Sequence, residues 1–450
     1  MDRNAAFMSA YAAGMRVDDV TASALHAVKR SLVDSIGCAL GAYAAEPVKI
    51  ARRLATRTHS DTPATLWGTH IRTSPEMAAF VNGIMVRYLD YSDDYLKNDG
   101  PHPSDTIPPL LAIAEARHAD GATLACAITL AYEIVDQLVD CAQFKARGWD
   151  YVTETAMGAA LGAGKIMGLA EDEVAQALAL ATVPNIALRQ TRTGELSMWK
   201  GCAGPNAARN GLFAALLAAE GMTGPNDIFE GRHGLWQQVT GPFELGTFGG
   251  KGRPFKIEET YFKSRPVQYT GLLPVETALA LHSRVDPSRI RSIRVVLDEF
   301  SVVTGGGREK YDPQTRETAD HSHPFLVAAA LVDGEISDAT FTPVRYRDPR
   351  ILALMQKITL EEDPAYTRAW PRAFECRVEV TDDAGATQTQ YMKNPKGHPA
   401  NPMSDAEIEE KFLHLTAGTL GSAHARSVLR LLWNLEACSD VGEICSAIAI

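Results

Sequence analysis

Apolar residues recur at helical spacing through most of the first half of the chain. Leu25, Val28, Leu32, Val33, Ile36 and Leu40 fall on one face, and Met77, Phe80, Val81, Ile84, Met85 and Leu89 on another, behind Ser74 as N-cap and Pro75 as first helical residue. Gly and Pro mark the breaks from about Val20 to Gln238, which predicts an all-helical half. Small residues dominate Met157 to Gly168 and Ala214 to Ala219, so those helices can approach their neighbours closely in a buried bundle. Beyond Lys263 the period shortens. Ile293, Val295 and Leu297 alternate as a strand, and so do Phe374, Cys376, Val378 and Val380, before Asp382-Asp383-Ala384-Gly385 turns the chain toward Thr387, Thr389 and Tyr391. Helical stretches at Leu272 to Leu281 and Thr318 to Val332 make this an α+β segment. At Ser404 and Glu407 a capping-box pattern restarts the helices, the last running near Ala425 to Ala437. The fold class expected is mainly α with an α+β lid. Residues 1–266 form a large discontinuous all-helical domain, 400–450 pack back on it, and 267–399 are the smaller α+β domain.

Composition narrows the partners. The chain has 450 residues, 46% hydrophobic and 22% charged, enough for two or more domains and a sizeable core. Its net charge, 44 minus 55 or −11, argues against nucleic acid and anionic membrane as partners, and a small anionic substrate would need a local cationic pocket. The best apolar run, Ala122 to Tyr132, is shorter than the roughly 18 residues that cross a bilayer, and reads as a core helix. The first residues carry Asp2, Arg3, Arg16, Asp18 and Asp19 without a signal-peptide apolar region, so a cytoplasmic protein is expected. Seven scattered cysteines without a C-x2-C pair read as buried thiols and suggest neither structural zinc nor an iron-sulfur cluster. Gly305-Gly306-Gly307 lacks the context of a nucleotide-binding loop. Neither metal nor cofactor is expected.

Candidate chemistry concentrates in Leu89 to Pro109, where five aspartates and one histidine lie between two apolar helices. Ser104 or Thr106 can cap a following helix that opens at Pro108-Pro109. Basic and acid-base residues recur in four further segments: Arg189 and Arg192 leading to Trp199-Lys200 before a helix near Pro205; Lys263 and Arg265 at the expected domain junction; Asp320-His321-Ser322-His323 at a helix start; and Lys396-Gly397-His398. Singly, each has a structural explanation, as a snorkelling lysine, a helix-flanking arginine or a satisfied loop histidine. Jointly they suit proton abstraction next to a carboxylate, because the dianion so formed needs preorganised cations such as Lys200, Lys263 and an arginine. His102 can titrate near neutrality, and Asp93 could orient it or act as base.

Leu89-Asp90-Tyr91-Ser92-Asp93 followed by His102-Pro103-Ser104-Asp105 resembles the signature of the MmgE/PrpD family. Trp199-Lys200, Lys263, Glu317 to His321, and Gly397 to Ser404 look like that family's other landmarks in its order, so the resemblance spans nearly the whole chain. It implies a homodimer and cofactor-independent chemistry on small polycarboxylates. It places the active-site aspartate, histidine and two lysines on Asp93, His102, Lys200 and Lys263, with Arg189, Arg192, Tyr151, His321 and Ser104 as substrate contacts. It also implies a hydro-lyase that dehydrates a hydroxy di- or tricarboxylate of the 2-methylcitrate kind. The alternatives are an epimerase or decarboxylase using the same carbanion, or a polyacid-binding protein without turnover. Three positions depart from the family: Asp150-Tyr151-Val152 where relatives often carry a histidine, Asp94 where threonine is frequent, and Phe325 where tyrosine is frequent.

Overall fold

Close packing of small residues builds the helical part of the molecule, whose computed structural model describes residues 1–450. The helix Val152–Met167 lies between Gly121–Cys141 and Ala203–Ala219. A methyl group at Gly211 would stand 2.3 Å from the Ala156 carbonyl oxygen, and one at Gly158 2.9 Å from that of Ala131, so larger residues would force these helices apart. Gly121–Cys141 is long and apolar enough by composition to cross a membrane, but it is buried inside this bundle. One hydrophobic core gathers residues from Ala5 to Phe262 and then from Met403 to Ile448. Asp405–Thr416 lies along Ala22–Gly41, fastened by Lys411, whose ammonium meets Asp34 at 2.6 Å.

A second core gathers Leu96 and residues from Tyr261 to Val380 around a four-stranded sheet. Two short strands in the helical part, β1 (Ala64–Thr65) and β2 (Arg72–Thr73), pair separately, so that half is not wholly helical as expected. The larger sheet comprises β3 (Ile290–Leu297), β4 (Ile358–Glu362), β5 (Glu375–Asp382) and β6 (Thr387–Lys393), in the order β4-β3-β5-β6. β3 runs parallel to β4, with Val295 opposite Leu360, and antiparallel to β5, with Val295 opposite Val378. Cys376, Val378 and Val380 turn inward on β5, where Tyr269–His282 covers the sheet and in turn packs on His323–Asp333.

Local chemistry accounts for several differences from the sequence reading. The stretch expected as one helix over Thr318 to Val332 is two, Arg316–Ala319 and His323–Asp333, because the Ser322 side chain accepts from Phe325 N and starts the second. The helix after the acidic loop opens at Ile107 behind a 3-10 turn over Pro103–Thr106; Thr106 takes the N-cap position, but its hydroxyl donates to the Pro103 carbonyl and makes no capping bond. A helix at Arg3–Gly14, capped by Asp2, was not expected, and the C-terminal helix is Ser422–Trp433 with a further one at Gly442–Ala447. Six cysteines are buried as expected, whereas Cys141 is partly exposed.

Candidate active site

The two cores meet at a cavity of about 320 Å³, walled by Leu96, Tyr151, Leu196, Tyr269, Phe300 and Val303. Lys145, Arg189, Arg192, Lys200, Lys263 and Lys310 point basic groups at it, together with His102 and His321; Asp90, Asp94, Asp99 and Glu309 supply the acidic ones. Five chain regions far apart in sequence thus converge. Antiparallel backbone bonds between Asp94 and Tyr261, both 2.9 Å, pin the acidic loop to the strand-like segment that carries Lys263.

At the closed end Asp90 is the hub. Its backbone takes the left-handed conformation, φ 50°, directly after the helix Pro75–Arg87, which turns the side chain inward. Its Oδ1 meets Lys200 Nζ at 2.9 Å, Arg87 Nη1 at 3.2 Å and Lys263 Nζ at 3.3 Å; His321 Nε2 lies 3.7 Å from Oδ2. Burial would raise the Asp90 carboxyl, but Lys200, Lys263, His321 and Arg87 together hold it well below the usual range. Burial pulls Lys200 down to about 8 against the opposing field of Asp90, so it remains an ammonium at neutral pH. Fixed cations around one carboxylate leave positive charge over for the carboxylates of a ligand.

His102 stands beside this cluster with a defined tautomer. Its Nδ1 lies 2.5 Å from the Asp93 carbonyl oxygen, which accepts only from a protonated nitrogen. Burial, reinforced by Arg87 and Lys263, keeps the ring well below its ordinary pKa and therefore neutral. Nε2 is then the basic lone pair. Asp93 serves through its main chain: its carboxylate turns away from the cavity and accepts from Tyr132 Oη at 2.7 Å and from Ser104 N at 3.1 Å. Burial raises that carboxyl to about 6. Asp93 thus orients His102 through its carbonyl, while its side chain and Ser104 lie outside the cavity lining. Asp90, three residues before Asp93 in the same motif, is the aspartate that the lysines hold.

Toward the mouth, Arg192 bonds Asp150 at 2.9 Å and lies over the Tyr151 ring at 4.3 Å, while Tyr151 meets His102 edge-on. Arg189 pairs with Asp99 at 3.6 Å, and Lys145 caps the Phe300 ring. His321 is oriented by a short bond between its Nδ1 and Asp320. The two neighbouring histidines part company: His323 leaves the cavity and bonds Thr270 Oγ1 at 3.2 Å within the second core. Donor atoms of Asp90, Asp320 and His321 lie within 4.8 Å of one another, a spacing that a metal could use, although a divalent ion there would face the two lysines already on Asp90. Lys145, Lys310 and Glu309 carry no sequence signal that marks them for the cavity, whereas Asp99 lies in the acidic stretch Leu89 to Pro109. Asp90 and Asp94 sit inside the motif, but spacing alone does not say which of its aspartates face inward.

The chain matches the MmgE/PrpD N-terminal domain over residues 7–247 and the MmgE/PrpD C-terminal domain over residues 266–437. It is 25% identical to cis-aconitate decarboxylase of Homo sapiens, covering 95% of this chain and 90% of that protein. It is 27% identical to 2-methylcitrate dehydratase of Cupriavidus necator, covering 82% and 81%. It is 26% identical to alkylcitrate dehydratase phiI of a fungal species, covering 91% and 87%.

Proposed function

The chain belongs to the MmgE/PrpD family, and from that premise we propose that it is a hydro-lyase that removes water from a small hydroxy di- or tricarboxylate by abstracting a proton next to a carboxylate. The observation that carries this reading is a neutral His102, its Nδ1 held on the Asp93 carbonyl, in one cavity with Lys200 and Lys263. The substrate carboxylate beside the reacting carbon lies against the two ammonium groups. His102 Nε2 takes the proton, and the charge that spreads onto the carboxylate is stabilised by cations fixed in place beforehand. Arg192, Arg189 and His321 hold the remaining polar groups of the substrate. The β-hydroxyl then departs.

A screen of small hydroxy polycarboxylates, read by the ultraviolet absorbance of a conjugated alkene product, tests the reaction class. With a substrate so found, His102→Ala is expected to lower turnover roughly hundredfold or more at unchanged circular dichroism; undiminished turnover would overturn the role. The likeness to cis-aconitate decarboxylase, along 95% of this chain, supports a second reading in which the same carbanion forms by loss of carbon dioxide. Carbon dioxide release would favour that reading. Deuterium uptake from solvent without loss of water would favour epimerisation, and a polyacid that bound without reacting would favour a binding protein. Exposed Leu188 and Trp199 on the outer side of the arginine-bearing loop support a homodimer, to be tested by light scattering on the purified chain.

A further inference from the structure

In a cavity supplied with cations, Asp94 is the buried carboxyl group without one. Its side chain is buried, 6% exposed, yet neither oxygen accepts a hydrogen bond: Oδ1 is enclosed without a partner, and Oδ2 comes only within 3.9 Å of His102 Nδ1. Lys263, the cation with the strongest influence on it, is already spent on the carboxylate and carbonyl of Asp90. A buried carboxylate is expected to collect donors, and an unpaired one would repel a polyanionic substrate. The group fits its surroundings as an un-ionised carboxylic acid, a donor in a place where a substrate oxygen arrives.

We propose that Asp94 is the acid of this site, giving its proton to the hydroxyl oxygen that leaves as His102 removes the carbon-bound proton. The inference rests on the dehydration reading above. The electron pair of the C–H bond becomes the new π bond, the C–O pair departs with oxygen, and the Asp94 proton completes a water molecule. His102 is left as imidazolium and Asp94 as carboxylate; the proton on Nε2, passed to Asp94 through the product water, restores both. Asp94 Oδ2 lies 3.9 Å from His102 Nδ1 and both side chains line the one cavity, so a single substrate can meet Asp94 and the base Nε2 together. Burial places the Asp94 carboxyl at about 8, which keeps the acid protonated at neutral pH.

The test compares a hydroxy polycarboxylate that the enzyme dehydrates with the same acid carrying fluorine in place of the hydroxyl, since fluoride leaves without needing a proton. Asp94→Asn is expected to lower kcat on the hydroxy acid about a hundredfold or more, with little change in KM, while fluoride release stays near that of the unaltered enzyme. Asp94→Glu should recover part of the loss, and His102→Gln should abolish both reactions. Equal slowing of both substrates by Asp94→Asn, or no slowing of dehydration, overturns the role of Asp94 and leaves the dehydration reading standing. Failure of the unaltered enzyme to release water from any hydroxy acid, with fluoride release intact, brings down both.

Discussion

At the residue scale, the site depends on which carboxyl groups are charged. Asp90 meets Lys200, Lys263 and Arg87 at once, so Asp90→Asn would leave the two buried lysines without a carboxylate partner, while Arg87 keeps Asp105 at 3.4 Å. Removing one partner of a buried pair costs on the order of 3–5 kcal/mol, and the melting temperature of that variant should drop accordingly, with binding of polyacids altered as well. Asp94 behaves in the opposite sense. Its carboxyl ionises near 3.8 when unconstrained but near 8 in the fold, where it faces His102, Lys263, Asp90, Arg87, Asp93, Tyr261 and Tyr269. Its contribution to stability is therefore complete below the unfolded value and is lost as pH rises toward the folded one. Asparagine cannot ionise. The melting temperature of Asp94→Asn relative to the unaltered chain should thus climb between about pH 4 and about pH 8, even as its dehydration rate falls; a pH-independent difference would contradict the un-ionised state. His102, Lys200, Lys263 and the cationic character of the cavity were legible in the sequence. Asp90 was not separated from Asp93, because the inward turn of Asp90 comes from one left-handed backbone angle that spacing does not encode.

At the scale of elements, the close contact of Gly397 with Phe262 holds Lys263 in place. Phe262 N donates to Gly397 O at 3.2 Å, and Gly397 has φ 95°; a methyl group there would fall 1.7 Å from Phe262 O. Gly397→Ala must therefore displace the segment that presents Lys263. It should lose about 1–3 kcal/mol of stability through backbone strain together with most activity. Gly385→Ala, in the hairpin between β5 and β6 at φ 86° with open space around it, should lose stability and retain kcat. Thermal melts and kcat on both variants separate these outcomes. The strands β3, β5 and β6, the long helices and the Ser404–Glu407 capping box were legible because each carries its own period or cap. β4 was not: in its five residues only Ile358 is buried, so it has no alternation to read, and it becomes a strand by pairing along β3. The helix Arg3–Gly14 escaped for a similar reason, its alanine-rich face being weakly patterned.

At the scale of the whole molecule, the last helices reach back to the site. Lys411, from the helix Asp405–Thr416, bonds Asp34 and also donates to the carbonyls of Tyr91 at 2.7 Å and Lys263 at 3.0 Å, tying both site-bearing segments to the helical core. Lys411→Met is expected to cost roughly 3–5 kcal/mol and to lower activity in the remaining folded protein, measured by denaturant unfolding and by kcat under native conditions. The division of labour around the cavity carries a further consequence. The proposed base belongs to the helical part, whereas Phe300, Val303, Thr304 and Lys310, which line the outer wall, belong to the β3–β4 connection. Exchanging only its first part, residues 299–311, ahead of Asp320 and His321, among relatives would then refit the pocket to acids of other length or branching without disturbing the proposed base and the lysines on Asp90, a natural route for one scaffold to diversify and a practical handle for redirecting it.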